Sequence, residues 1–174
     1  AIEGLVMSME KAHNEGKEFF TGDTLLIVDE AGLVGTKNMA KGPAMTREEA
    51  VRALETGIAV AEEKIAAGYQ LMATGEMGIG NTTTSSAVAS VLTDIPVKLM
   101  TGRGAGLSAD GLRRKIAAIE RAISLHAPDR GDPIDIISKV GGFDIAGLTG
   151  VFLGGAIFRI PIVIDGFISS VAAL

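Results

Sequence analysis

Residues 69–92 read YQLMATGEMGIGNTTTSSAVASVL, and three kinds of sequence meet in them. Tyr69–Thr74 is a short, largely apolar run of strand length. Gly75–Asn81 (GEMGIGN) is a glycine-rich loop. Thr82–Leu92 is helix-forming, with hydroxyls crowding its first turn. Strand, loop and helix in this order begin a βαβ unit, the device that builds parallel sheets. The helix turns its partly positive N-terminus into the loop, and glycines let backbone amides approach a ligand unobstructed. Such a place suits an anion, most simply a phosphate; a tight structural turn is the alternative. No Gly-Lys-Ser/Thr follows, so this is not a Walker A loop, and the glycine spacing is not G-x-G-x-x-G.

Outward from this unit the pattern repeats. Thr24–Val28 (TLLIV), Val97–Thr101 (VKLMT) and Ile160–Ile164 (IPIVI) are further strand candidates. Helical spacing predicts a helix within 2–20, through Ile2, Leu5, Val6 and Met9. Thr46 and Glu49 form a capping box, and the helix behind them carries Val51, Leu54, Ile58 and Ile65 on one face and stops at Gly68. Ser108 caps a helix with Leu112, Ile116, Ile119 and Ile123 as its core face, ending near His126. Asp132-Pro133 opens another, through Lys139. A small-residue helix follows Gly141-Gly142-Phe143-Asp144. The strands are apolar throughout rather than alternating, as in parallel sheets covered by helices on both faces. The expected fold is α/β: a doubly wound, mainly parallel sheet in a Rossmann-like three-layer arrangement. All strand C-termini then share one rim, where the loops at Asp29, Gly75–Asn81, Gly102–Gly106 and Asp165-Gly166 should converge and ligands bind.

Composition narrows the function. The 174 residues suit one domain. With no cysteine and two histidines, disulfides, thiolate chemistry and a structural zinc site are unsupported. A net charge of −5 argues against binding the phosphate backbone of nucleic acid, and 4% aromatic residues offer few stacking platforms. The most apolar stretch, Ile145–Ile164, is interrupted by Arg159 and Pro161, so a buried helix and strand are expected rather than a membrane span. Residues 1–16 hold Glu3 early and no basic leader, and the expected location is cytoplasmic.

Single residues stay ambiguous at this level. Glu76, held among glycines, suits a base, a sugar-hydroxyl acceptor or a helix-dipole partner. Asp165 ends a strand, as a cap or a ribose ligand. Lys115, beside Arg113 and Arg114, belongs either to a solvated helix face or to a cation reaching a phosphate. Gly102-Arg103-Gly104-Ala105-Gly106 only weakly suggests a dinucleotide fingerprint. Asp144 reads as an N-cap, and His13 and His126 as surface residues.

The stretch GEMGIGNTT at Gly75–Thr83 resembles the signature loop of the nicotinate-nucleotide–dimethylbenzimidazole phosphoribosyltransferase family. Further segments resemble that family in the same order: Gly35-Thr36-Lys37-Asn38 with Gly42-Pro43-Ala44-Met45-Thr46, GRGAGL at Gly102–Leu107 with Lys115, Lys139–Asp144, and Asp165-Gly166-Phe167-Ile168-Ser169. The resemblance implies transfer of phosphoribose from nicotinate mononucleotide to 5,6-dimethylbenzimidazole or a related base, giving an α-ribotide for the cobalamin lower ligand. It implies no metal or cofactor, and a homodimer. Glu76 would lie at the reacting centre and Met77 in the base pocket. Gly78, Gly80, Asn81, Thr82, Gly102, Gly104, Lys115 and Asp165 would hold phosphate and ribose. The family also has a later glutamate loop that supplies a general base, and an earlier aspartate-histidine-glycine motif, neither of which occurs here. The expectation is therefore a single α/β domain over 1–174 from the central portion of such an enzyme; the alternative is a non-catalytic or truncated nucleotide- or phosphate-binding module.

Overall fold

A computed structural model describes residues 35–174, Ala105 excepted. The expected helix within 2–20, the strand Thr24–Val28, Asp29 and His13 lie outside the described residues. The elements in chain order are α1 (Arg47–Ala66), β1 (Met72–Ala73), α2 (Thr82–Thr93), α3 (Val97–Met100), α4 (Ala109–His126), α5 (Pro133–Val140), α6 (Phe143–Phe158), β2 (Ile162–Val163) and α7 (Gly166–Ala173).

The strands form a parallel pair, Met72 opposite Ile162 and Ala73 opposite Val163. Thr74 extends the pairing: its amide donates to Val163 O at 3.0 Å. A parallel pair puts both C-terminal ends on one rim, so the loops after Thr74 and Val163 leave side by side. This is the α/β arrangement expected, within a helix-rich chain. Val97–Thr101 is not a strand, however. It is a single helical turn, in which the Leu99 and Met100 amides donate to Pro96 O and the Thr101 amide to Val97 O. Pro96 fixes the backbone entering the turn, and a short apolar run does not by periodicity alone distinguish strand from helix.

Helix starts follow the local rules. In the Thr46 capping box the hydroxyl accepts from the Glu49 amide at 3.1 Å and the Glu49 carboxylate accepts from the Thr46 amide at 2.7 Å. Ser108 Oγ accepts from the Gly111 amide at 3.1 Å. Asp132 Oδ1 accepts from the Ile134 and Asp135 amides.

The buried faces differ from the expected ones. On α1 the buried residues are Ala50, Ala53, Leu54, Gly57 and Ala61, so of the four large aliphatics only Leu54 is fully buried. The cause is α6, whose backbone touches that of α1. A Cβ at Gly57 would lie 2.0 Å from Gly147 O, one at Gly150 2.0 Å from Leu54 O, and one at Gly154 2.5 Å from Ala61 Cβ. Small residues are what this contact admits. Helix α6 is buried on most sides, through Ile145, Ala146, Leu148 and Val151, as its uniform apolarity suggested. No helix among the described residues is long and apolar enough to cross a membrane.

The core joins α1, α2, α4, α5, α6 and α7 around Val88, Ile119, Ile136, Val140, Ile145 and Leu148. The 35–45 segment is pinned to it by the Ala44 and Met45 amides, which donate to Lys139 O and Ser138 O at 3.1 and 2.9 Å. His126 is not a free surface side chain: it is half-buried, and its Nε2 lies 2.8 Å from Met39 O, which it meets as an N–H donor.

Candidate functional site

Helix α4 buries Gly111, Lys115, Ile119 and Ala122. These positions form one helical stripe, and Lys115 occupies it as if it were apolar, only 7% exposed. The solvated-face alternative is thereby excluded for Lys115. It does hold for its neighbours: Arg113 pairs with Asp110 on the exposed side, and Arg114 is exposed. The Lys115 ammonium donates to Thr82 Oγ1 at 2.8 Å and to Gly102 O at 3.1 Å. Both partners are uncharged, so burial of the cation is compensated only by neutral oxygens. Burial pulls its pKa below the ordinary lysine range. A third donor on the ammonium is left for another acceptor.

Thr82 opens α2, and the stretch before it is the glycine-rich loop. A Cβ at Gly104, where φ is +56°, would lie 2.8 Å from Thr82 Oγ1 and 3.7 Å from Lys115 Nζ. Thr82, Gly102, Gly104 and Lys115 therefore meet at one point, although Gly102–Gly106 follows a helical turn rather than a strand. Gly78 stands at the same mouth, at φ +81°: a Cβ there would lie 3.8 Å from both Thr82 Cγ2 and Ile168 Cδ1 of α7. The loops after β1 and after α3 thus meet, with Ile168 of α7 beside them. A buried cation beside a helix N-terminus and left-handed glycines is chemically a site for an anion.

The remaining candidates are arranged around it. Glu76 is half-buried, and its carboxylate accepts from the Gly78 amide, folding the loop back on itself. Met77 is 57% exposed, free to cover a ligand but packed against little. Gly80, at φ +83°, has open space about it. Asp165 precedes α7 without any side-chain capping bond. It is exposed and, although it occupies the N-cap position of α7, its side chain makes no hydrogen bond or ion pair among the described residues.

Asn81 behaves differently from a simple ligand. It stands at the N-cap of α2, but its side chain makes no capping bond; its Nδ2 donates instead to Asp144 Oδ2 at 2.6 Å. Asp144 is accordingly not the N-cap of α6, which is Gly142. Burial pushes the Asp144 carboxyl above the usual carboxylate range, the Asn81 amide offsets part of this, and the nearby Glu76 charge raises it further. Sequence reasoning misses this pair because its members stand 63 residues apart. For Lys115 a signal is present: its place in the stripe Gly111–Lys115–Ile119–Ala122.

Comparison with known proteins adds an independent line. The phosphoribosyltransferase family model matches residues 11–174. The chain belongs to the nicotinate-nucleotide–dimethylbenzimidazole phosphoribosyltransferase family. Curated proteins bearing that enzyme name include one from Acetivibrio thermocellus, 64% identical over 80% of this chain and 40% of the relative. Another, from Clostridium acetobutylicum, is 58% identical over 84% of this chain and 44% of the relative. Among solved structures, CobT from Thermus thermophilus superimposes with a TM-score of 0.75 at 42% identity, covering 80% of this chain and 41% of that one. The chain thus spans about two fifths of the length of these members of the family. The fold likeness and the identity agree that the α/β arrangement is the family's.

Proposed function

We propose that the chain serves the transfer of phosphoribose from nicotinate mononucleotide to a benzimidazole-type base, 5,6-dimethylbenzimidazole or a near relative. The observation that carries this is the convergence of Lys115, Thr82 and Gly104 on one point at the N-terminus of α2, which supports a phosphate site. Family membership supports the rest: the relatives carry the name of this enzyme.

In this scheme the phosphate accepts from the Lys115 ammonium, the Thr82 hydroxyl and the Ile79 and Gly80 amides, the Gly78 amide being held by the Glu76 carboxylate. Asp165 faces the ribose hydroxyls from the adjacent rim, and Met77 covers the base. The C1–nitrogen bond to nicotinate breaks, its electron pair returning to the nicotinate ring nitrogen, while a ring nitrogen of the benzimidazole bonds to C1. The benzimidazole N–H proton passes to solvent water. C1 passes through an oxocarbenium-like state, and the half-buried Glu76 carboxylate lies at the reacting centre, where its charge opposes the positive charge that develops. Anchoring the phosphate fixes C1 against the acceptor, an effect worth ~7–11 kcal/mol at most.

The same proposal treats residues 1–174 as one α/β domain from the central portion of a cytoplasmic, homodimeric enzyme. Light scattering on the purified chain measures the dimer directly. The function is tested by mixing nicotinate mononucleotide and dimethylbenzimidazole with the chain and following nicotinate release. Ribotide should form, and Glu76→Gln should slow it by about 100-fold or more. Binding of nicotinate mononucleotide without any product would instead make the chain a binding module.

A further inference from the structure

Asn81 is the residue at which the glycine-rich loop becomes helix α2. An asparagine in that place ordinarily turns its side-chain oxygen onto the amides of its own helix. Here the side chain makes no such bond. Its Oδ1 is buried without a partner among the described residues, and its Nδ2 reaches across to Asp144 Oδ2 at 2.6 Å. The Asn81 carbonyl, meanwhile, is held by three donors of its own helix: the Ser85 amide at 3.0 Å, Ser85 Oγ at 3.0 Å and Thr84 Oγ1 at 2.9 Å. Main chain and side chain of Asn81 are therefore fixed from two directions, by α2 and by the first turn of α6.

The α6 side is shaped for this. Gly142 caps α6, and a Cβ there would lie 2.2 Å from Asp144 Oδ1 and 3.5 Å from Thr84 Oγ1. Only glycine leaves the carboxyl room to face Asn81. The arrangement is poor for stability alone. It forgoes a helix cap, strands a buried amide oxygen and desolvates a carboxyl whose pKa rises as a result. Local rules broken together, with no gain in packing, are characteristic of sites kept for function. Gly78, three residues upstream of Asn81, borders the Thr82–Lys115 point with its amide held by the Glu76 carboxylate, so Asn81 is the anchor at the helix end of that turn.

We propose that Asp144 is a positioning residue that, through Asn81, holds the Gly78–Gly80 turn over the Thr82–Lys115 anion site. Its ligand-binding consequence rests on the function proposed above; its effect on the loop does not. Asp144 touches the loop and not the ligand, and acts by keeping the amides of the turn in the orientation an anion needs.

The test uses the full chain as wild type, Asp144→Ala and Asp144→Asn, with three readouts. Amide NMR without ligand reports the Asn81 side-chain NH2 and the Gly78 and Gly80 amides. Thermal unfolding reports stability, and calorimetry reports nicotinate mononucleotide binding. Asp144→Ala should move all three amide signals and weaken binding by about tenfold, and loss of the acceptor for Asn81 Nδ2 should put its melting temperature below that of Asp144→Asn. Asp144→Asn keeps an acceptor for Asn81 Nδ2 and should restore the amide signals and bring binding to within about threefold of wild type. Unmoved Gly78 and Gly80 signals in Asp144→Ala would overturn the proposal. So would equal losses of melting temperature and affinity in both variants, the mark of a merely structural carboxyl. If the wild-type chain does not bind nicotinate mononucleotide at all, the proposed function fails, and the ligand-free amide signals still decide for or against the positioning role.

Discussion

Gly57 and Gly150 lie between α1 and α6, where a Cβ on either would stand 2.0 Å from a carbonyl oxygen of the opposite helix. Gly78 and Gly80 lie in the loop before α2, at φ +81° and +83°, and a Cβ on either would meet nothing closer than 3.8 Å. The first pair exists for missing volume and the second for backbone freedom. Both contribute to the same glycine-rich composition, yet one sets how closely two helices pack and the other how a loop presents its amides. Substitution should separate the two uses, because volume is felt in stability and loop conformation in binding.

The largest expected effect is at the helix contact. Gly150→Val should cost about 3 kcal/mol or more, since overpacking usually costs ~1–3 kcal/mol and the obstacle here is backbone that does not step aside. Urea denaturation measures it, and a loss below ~1 kcal/mol would mean that the helices separate easily. At the loops the order reverses. Gly104→Ala places a methyl 2.8 Å from Thr82 Oγ1 in a left-handed backbone; it should weaken nicotinate mononucleotide binding about tenfold while costing ~1–2 kcal/mol of stability. Gly80→Ala meets no obstacle but strains a left-handed backbone; it should cost ~1 kcal/mol and weaken that binding less than Gly104→Ala does. Equal binding losses at Gly80 and Gly104 would erase the distinction between a loop glycine packed against Thr82 and one with open space beside it.

A smaller effect concerns pH. Burial raises the folded-state pKa of Asp144. The folded chain then holds a proton that the unfolded chain, near the ordinary value of 3.8, has already released. The contribution of this group to stability therefore grows as pH falls from above its folded pKa toward 3.8, and is lost as pH rises through the folded pKa. Asp144→Asn should remove that rise from a series of urea denaturations at graded pH. A pH profile identical to wild type would place the titration elsewhere.

Much of this architecture is legible in the sequence because it is local. The Thr46 capping box, the Ser108 and Asp132 caps and the strand–loop–helix at residues 69–92 each need only a few neighbouring residues. What sequence does not disclose depends on partners far along the chain. Helical spacing assigns Val51, Ile58 and Ile65 to the buried face of α1, where they are only half-buried, because the glycines of α6 that select Ala50, Ala53, Gly57 and Ala61 stand about ninety residues later. Val97–Thr101 reads as a strand because a short run around Val97, Leu99 and Met100 fits either state. Asp144 reads as a cap because its true partner, Asn81, is in another helix. In the candidate site, Lys115, Thr82, Gly102 and Gly104, all singled out from the sequence, lie together in the structure. The role of Asn81 as a bridge to α6, rather than a free donor, emerges only from three dimensions.

The central claim is that Lys115, buried among neutral oxygens, is the cation awaiting a phosphate. Calorimetric titration of nicotinate mononucleotide into the full chain, wild type against Lys115→Met, tests it most directly. Binding should fall by roughly 10- to 100-fold in the variant, the range for a lost charge-assisted hydrogen bond, with stability unchanged or raised as a desolvated ammonium is removed. Equal affinity in the two proteins, or a variant that fails only because it unfolds, would contradict it.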